Sequence, residues 1–254
     1  MEIHEAIAAI DYEELPVHLH EAHEVFEEKL AELPEDAYET RGAYFYYLLR
    51  ISLKSTALFE TELEKHYFEE LIECFRVQEE KYLEKLHENR SDKLVISQMS
   101  VFYHLMERYF TILSAIYRKK DYKFAEQKAY LEKMRYRQSS FRFKRKWGKF
   151  STYKFWEFTS LYGLSFLRWG ISCLISVTFY ALLYIFIGNL HIPFSSDAIH
   201  WYDAFHFSIA TFTTLGLGDV VASDVISRFI VDIEVFNGYL MLGVFMALVQ
   251  KRIF

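Results

Sequence analysis

The feature that most constrains this chain is an uncharged apolar segment of 22 residues, from Trp169 to Leu190. As an α-helix it would be about 33 Å long, which is enough to cross the hydrocarbon core of a bilayer. A second apolar segment, residues 225–254, would be about 45 Å long as a helix. Arg228, Asp232 and Glu234 interrupt its first half, which a helix tolerates where it faces protein or a water-filled cavity. We therefore expect a membrane protein with two spans.

Charge divides the chain into two unlike halves. Residues 1–132 carry 28 acidic and 16 basic side chains, whereas residues 133–254 carry 7 acidic and 13 basic ones. The mean hydropathy near zero is the average of a polar acidic half and an apolar basic half. A single well-mixed soluble globule is excluded by this division, and the 19% of aromatic residues exclude a fully disordered chain.

The acidic half is expected to be an all-α domain. Apolar side chains recur there at steps of three, four and seven residues, as at Leu63, Tyr67 and Leu71. Pro34 is expected to begin a helix, with acidic side chains in its first turn. The pattern predicts a helical bundle, or a helical-repeat-like arrangement, with five helices at residues 19–33, 35–58, 61–88, 92–118 and 121–140.

No catalytic pattern occurs in the acidic half, so an enzyme is not expected. His18, His20 and His23 lie close together in sequence, but their loose spacing favours a solvated helix start over a metal site. Only two cysteines, Cys74 and Cys173, are present, which excludes a disulfide framework and a cysteine-based zinc site.

A basic segment joins the two halves. Residues 133–154 contain nine lysines or arginines and no acidic residue. An aromatic amphipathic stretch follows, from Phe150 to Phe166, and it is typical of a helix in the membrane interface. A span directly after this stretch favours a juxtamembrane segment over a nucleic-acid site. Positive charge before the first span orients residues 1–154 toward the cytoplasm.

A short apolar stretch between the spans carries the most specific motif. Residues 201–213 would form a helix of about 20 Å, which is too short to cross and therefore re-entrant. It leads into Thr213-Thr214-Leu215-Gly216-Leu217-Gly218-Asp219. This motif between two spans resembles the Thr-Thr-Val-Gly-Tyr-Gly-Asp signature of the tetrameric potassium-channel superfamily, specifically its two-helix members. The resemblance covers about residues 165–254.

The resemblance implies a filter that replaces the water shell of a potassium ion with backbone oxygens. Its ion ligands would be the carbonyls of Thr214, Leu215, Gly216 and Leu217 with the Thr214 hydroxyl. Gly216 and Gly218 would supply the left-handed backbone that aims successive carbonyls at one axis. Leu217 stands where the family usually has tyrosine, so the filter lacks a bracing hydroxyl.

The resemblance also implies supporting and gating residues. Thr213, Asp219, His206 and Glu234 would support the filter. His206 stands where many relatives have a tryptophan that bonds the filter aspartate, so a contact between His206 and Asp219 is expected, with an effect of external pH. Glu234 would hydrogen-bond behind the filter. The hinge and gate residues would be Gly238, Gly243, Tyr239, Leu242, Met246 and Gln250.

These expectations give three segments. Residues 1–132 form a cytoplasmic acidic helical domain, residues 133–167 a basic linker and interfacial helix, and residues 168–254 a pore domain. The pore domain comprises an outer helix at 169–190, a pore helix at 201–213, a filter at 214–219 and an inner helix at 225–254.

The sequence favours a homotetrameric potassium channel of the plasma membrane, with both termini cytoplasmic and gating through the N-terminal domain. Its partners would be copies of itself, membrane lipids and an unidentified ligand or protein at that domain, and no nucleic acid. No cofactor is expected besides the permeant potassium ions. Two alternatives stay open: a weakly selective monovalent cation channel, and a membrane-anchored scaffold or effector whose helical domain binds a partner.

Overall fold

The structure is a computed structural model that describes residues 16–54, 61–89, 92–187, 189–193 and 199–253. Nearly all of these residues are helical, which confirms the all-α fold. The chain divides into two compact units, Met1–Arg145 and Lys146–Phe254. The helices are α1 (Pro16–Glu32), α2 (Tyr38–Lys54), α3 (Thr61–Glu88), α4 (Lys93–Lys119), α5 (Lys123–Phe143), α6 (Trp147–Ser160), α7 (Phe166–Phe186), α8 (Trp201–Phe212) and α9 (Val225–Ile253).

Helices α1 to α5 form the bundle of the first unit. Helix α2 packs against α3, and α4 packs against α5. The centre of the bundle is aromatic, since four of its largest fully buried side chains are those of Phe75, Phe102, Phe110 and Tyr136. Helix α2 begins at Tyr38 and not near Pro34, whose carbonyl instead accepts a turn hydrogen bond from the Ala37 amide at 3.2 Å.

Two expectations about polar residues of the bundle are wrong. His23 is not solvated, because it is only 6% exposed and its Nε2 lies 3.1 Å from the Tyr67 hydroxyl of α3. Residues 133–143 are not a linker, because α5 continues to Phe143. The basic side chains there find acidic partners within the bundle, as where Arg135 Nη1 lies 2.8 Å from Glu79 Oε2.

The second unit contains both candidate spans. Phe166–Phe186 of α7 and Val225–Gln250 of α9 have mean hydropathies of 1.8 and 1.6 and are long and apolar enough to cross a membrane. Most of their surface lies outside the core of the unit, as expected for helices that face lipid or other copies. The outer helix begins three residues earlier than expected and ends at Phe186 rather than at residue 190.

A tight elbow joins α6 to α7. Leu161, Tyr162 and Gly163 are all left-handed, with φ of 51°, 55° and 76°. Ser160 secures the elbow, because its carbonyl accepts from the amides of Leu164 and Ser165 at 2.9 and 3.0 Å. Tyr162 is buried at 3% exposure. The elbow therefore fixes the direction in which the chain enters the first span.

Two short antiparallel strands connect the segments that follow the first span and the filter motif. Strand β1 (Leu190–His191) pairs with β2 (Val221–Ala222). Asp224 caps α9 and accepts a hydrogen bond from the Ser227 hydroxyl, which lowers the pKa of Asp224. These contacts tie the segment after the filter motif to the end of the first span.

Candidate functional site

Helix α8 leads directly into the filter motif. It is 12 residues long, about 18 Å, and ends at Phe212, one residue before the expected end. The chain then turns back on the helix, since the Leu215 amide donates to the Ala210 carbonyl at 2.8 Å and the Thr214 amide to that of Thr211 at 2.9 Å. The first filter residues are therefore anchored to the C-terminal end of α8, where the helix dipole favours a cation.

The backbone of the filter motif is left-handed at every second residue. Thr214, Gly216 and Gly218 have φ of 59°, 57° and 78°. Alternation of this kind turns successive carbonyls toward the same side, which is the geometry that a column of cation ligands needs. The two glycines adopt it without a side-chain penalty. Thr214 does so at a cost of about 1–2 kcal/mol, a strained residue that the motif alone did not indicate.

The carbonyl oxygens of the motif are available to an ion. Among the described residues, none donates a hydrogen bond to the carbonyls of residues 214–217. The flanking side chains are also uncovered, because Leu215 and Leu217 are 66% and 59% exposed in the single chain. The filter segment of one chain therefore offers a row of unpaired carbonyl oxygens. Its apolar side chains remain exposed to solvent in the single chain.

His206 and Asp219 meet beside the filter. His206 Nε2 of α8 lies 2.8 Å from Asp219 Oδ2, and both side chains are about half exposed, at 48% and 54%. The structure thus brings together two residues for which the sequence predicts a contact. The expected effect of this contact on the response to external pH stays a prediction.

Glu234 joins three helices instead of contacting the filter. Its side chain is fully buried at 0% exposure. Its carboxylate accepts hydrogen bonds from the Tyr184 hydroxyl of α7 at 2.7 Å and from the Ser208 hydroxyl of α8 at 2.5 Å. Glu234 therefore positions α8, the helix that leads into the filter, and its expected role in supporting the filter stays a prediction.

Gly238 and Gly243 differ sharply in their surroundings. A Cβ at Gly238 would lie 2.1 Å from the Phe212 carbonyl oxygen, whereas a Cβ at Gly243 would meet nothing within 4 Å. Helix α9 is continuous through both positions. Gly238 thus permits close contact between α9 and the end of α8, a packing role that accompanies the expected role as a hinge.

The expected gate residues lie on an uncovered face of α9. Tyr239, Leu242 and Met246 are 59%, 54% and 60% exposed, and Gln250 is also exposed. Their spacing of three, four and four residues places them on one face of the helix. This arrangement suits the lining of a shared cavity.

A recess of about 660 Å³ lies between the filter motif and α9. Leu217 lines it from the filter, Ala210 and Thr211 line it from α8, and Arg228 and Asp232 line it from α9. Two of the three charged residues that interrupt the second span, Arg228 and Asp232, therefore border this recess.

The sequence does not indicate three residues whose side chains form hydrogen bonds between the helices of this unit. Trp169 Nε1 donates to the Met241 carbonyl of α9 at 2.9 Å. Tyr184 and Ser208 hold Glu234, as described above. Each is an ordinary residue for an apolar helix, and nothing in its spacing distinguishes it from a packing residue.

Comparison with known proteins agrees with the arrangement of the second unit. A family model described as "Ion channel" matches residues 171–254. No curated protein and no solved structure matches the chain significantly. The matched segment contains most of the first span, α8, the filter motif and the second span.

Proposed function

We propose that the chain is one subunit of a homotetrameric, potassium-selective channel, and the match of residues 171–254 to the ion channel family model supports this. The observation that carries the proposal is the filter backbone, left-handed at residues 214, 216 and 218. Its carbonyls at residues 214–217 have no donor among the described residues. Dehydrated potassium ions would take these oxygens in place of water, with the Thr214 hydroxyl at the inner end. No further cofactor is needed.

Several copies are needed to complete the site. The filter segment of one chain supplies oxygens from one side of an ion, whereas a selective filter surrounds the ion with oxygens. The exposed side chains of Leu215 and Leu217 support this reading, because neighbouring subunits would bury them. One motif per chain then requires four chains around a closed axis, as in the family that the motif resembles.

The proposal places the protein in the plasma membrane with both termini in the cytoplasm. Basic residues precede the first span, and Lys251 and Arg252 follow the second. Lipids would surround the exposed apolar faces of α7 and α9. The bundle would lie in the cytoplasm, bind a ligand or protein, and pass the signal to the pore through α6 and the elbow.

Reconstitution in liposomes tests the proposal. With potassium inside and sodium outside, a selective channel gives a reversal potential close to the potassium equilibrium potential. Gly216→Ala is the matched inactive variant, because φ of 57° strains any residue with a side chain. Gly148→Ala is its control, since that glycine has open space around it. Absence of flux, or flux of anions, would overturn the proposal.

A weakly selective cation channel is the second candidate. The observation that favours it is the recess of about 660 Å³ behind Leu217, since a filter without a bracing hydroxyl and with space behind it can deform around a smaller ion. A reversal potential near zero in the same gradient would select this candidate.

A further inference from the structure

One contact links the beginning of the first span to the middle of the second. The indole Nε1 of Trp169 donates to the Met241 carbonyl at 2.9 Å. The same indole packs on Phe245, with ring centroids 4.9 Å apart and an angle of 35° between the planes. Phe166 completes the contact as an edge-to-face neighbour of Phe245 at 6.2 Å. We call Trp169, Met241 and Phe245 the indole clasp.

The indole clasp straddles Gly243. Met241 lies two residues before this glycine and Phe245 two residues after it. Gly243 is the point of α9 where a Cβ would meet nothing, so the helix there is both free of packing and weakened by its glycine. A side chain that grips the helix on both sides of such a point opposes bending there.

The parts of α9 on either side of Gly243 are held differently. Toward its N-terminal end, Glu234 bonds to Tyr184 and Ser208, and Gly238 lies against the Phe212 carbonyl. Toward its C-terminal end, the indole clasp holds the helix to α7. Bending at Gly243 therefore requires the indole clasp to open. The contacts of Glu234 and Gly238, on the N-terminal side of Gly243, stay intact.

The surroundings permit the clasp to open. A cavity of about 540 Å³ lies beside the indole, lined by Cys173 and Val177 from α7, Ile209 from α8, and Leu242 from α9. An indole that leaves Met241 thus has an apolar space to enter. The elbow before α7 fixes the start of the first span, so a displacement of α6 moves Trp169 with it. Ser172 adds to this coupling, since its hydroxyl lies 3.5 Å from the Thr159 carbonyl of α6.

From this geometry we infer that Trp169 is a positioning residue that holds the inner helix straight across Gly243 in the closed pore. Movement of α6 relative to α9 opens the clasp and allows the helix to bend. The inference rests on the proposed channel function. It assigns the site at which a signal from the bundle reaches the pore.

Two substitutions test the clasp. Trp169→Phe removes the N–H donor and keeps an aromatic ring, and Phe245→Leu removes the ring contact and keeps the donor. Loss of one neutral hydrogen bond should raise the ratio of open to closed channels by about 2- to 10-fold, without changing unitary conductance or reversal potential. Combining the two should give less than the product of the single effects, since both act on one contact. Trp201→Phe is the matched control, because Trp201 is 67% exposed at the start of α8.

A distance measurement separates the clasp from the channel function. Spin labels at Gln250→Cys, in a chain with Cys74→Ala and Cys173→Ala, report the spacing of the inner helix ends in reconstituted protein without any current. Trp169→Phe should broaden this distance distribution, and Trp201→Phe should not. If Trp169→Phe and Phe245→Leu both leave the distances and the open probability at wild-type values, the clasp does not hold the helix. If the wild type carries no current, the distances alone decide the inference.

Discussion

The contrast between Gly238 and Gly243 gives the sharpest test of the packing within the pore unit. Both lie inside α9, and both would be replaced by alanine. Removing a glycine from a helix interior stabilises it by about 0.8–1.0 kcal/mol. At Gly243 this gain stands alone, because a Cβ there meets nothing within 4 Å. Gly243→Ala should therefore be about 1 kcal/mol more stable than the wild type.

Gly238→Ala should behave in the opposite way. Its Cβ would lie 2.1 Å from the Phe212 carbonyl oxygen, whereas ordinary carbon–oxygen contacts are about 3.3–3.6 Å. Both groups belong to the backbone, so two helices must separate by about 1 Å, and no side chain can rotate away. Overpacking of this severity costs about 3 kcal/mol. After the helix gain is subtracted, the variant should be about 2 kcal/mol less stable than the wild type.

Thermal denaturation of the detergent-solubilised full chain measures the difference. A gap of about 3 kcal/mol between the two variants corresponds to about 10 °C in Tm or more for a unit of this size. Loss of hinge freedom alone would change gating without lowering the Tm, so the assay separates packing from hinge effects. Equal Tm values for the two variants would refute the close contact between Gly238 and Phe212.

Three further predictions concern other groups. His206→Gln should remove the expected effect of external pH on the current, because it removes the contact with Asp219, and a retained effect would show that this contact is not its source. Leu217→Tyr should fill the recess behind the filter and move the reversal potential in a potassium–sodium gradient toward the potassium value. An unchanged potential would mean that bracing there does not limit selectivity. Burial lowers the pKa of His23 below its ordinary value of 6.5, so folding favours the neutral imidazole. The contribution of His23 to the free energy of unfolding should be complete above about pH 6.5 and fall below that pH by at most about 1.4 kcal/mol per pH unit. Hydrogen exchange of the bundle should show this loss of stability in the wild type and in His20→Gln. It should not show the loss in His23→Gln.

The helices could be predicted from the sequence because their signals are local. Apolar spacing located α3 within a residue of its observed limits, and span length located α7 and α9. The start of α2 was misplaced because proline and acidic residues suit a helix start and a preceding turn equally well. The pairing of His206 with Asp219 came from the resemblance and not from spacing.

Contacts between distant helices were not predictable from the sequence. Glu234 could be expected to be buried, but its partners Tyr184 and Ser208 lie 50 and 26 residues away. The sequence around a hydroxyl residue in an apolar helix does not show which group accepts its hydrogen bond. The extension of α5 to Phe143 was missed for a related reason, since a run of basic residues resembles a linker until its acidic partners on other helices are known.

The unpaired carbonyls of residues 214–217 bear on how such a protein matures. A row of oxygens without donors costs free energy in a desolvated setting, and Thr214 adds backbone strain. Under the proposed assembly, the folded single chain is an intermediate. Folding is completed only when three more copies and a cation join it. The final folding yield should then rise steeply with subunit concentration and with potassium in the refolding buffer.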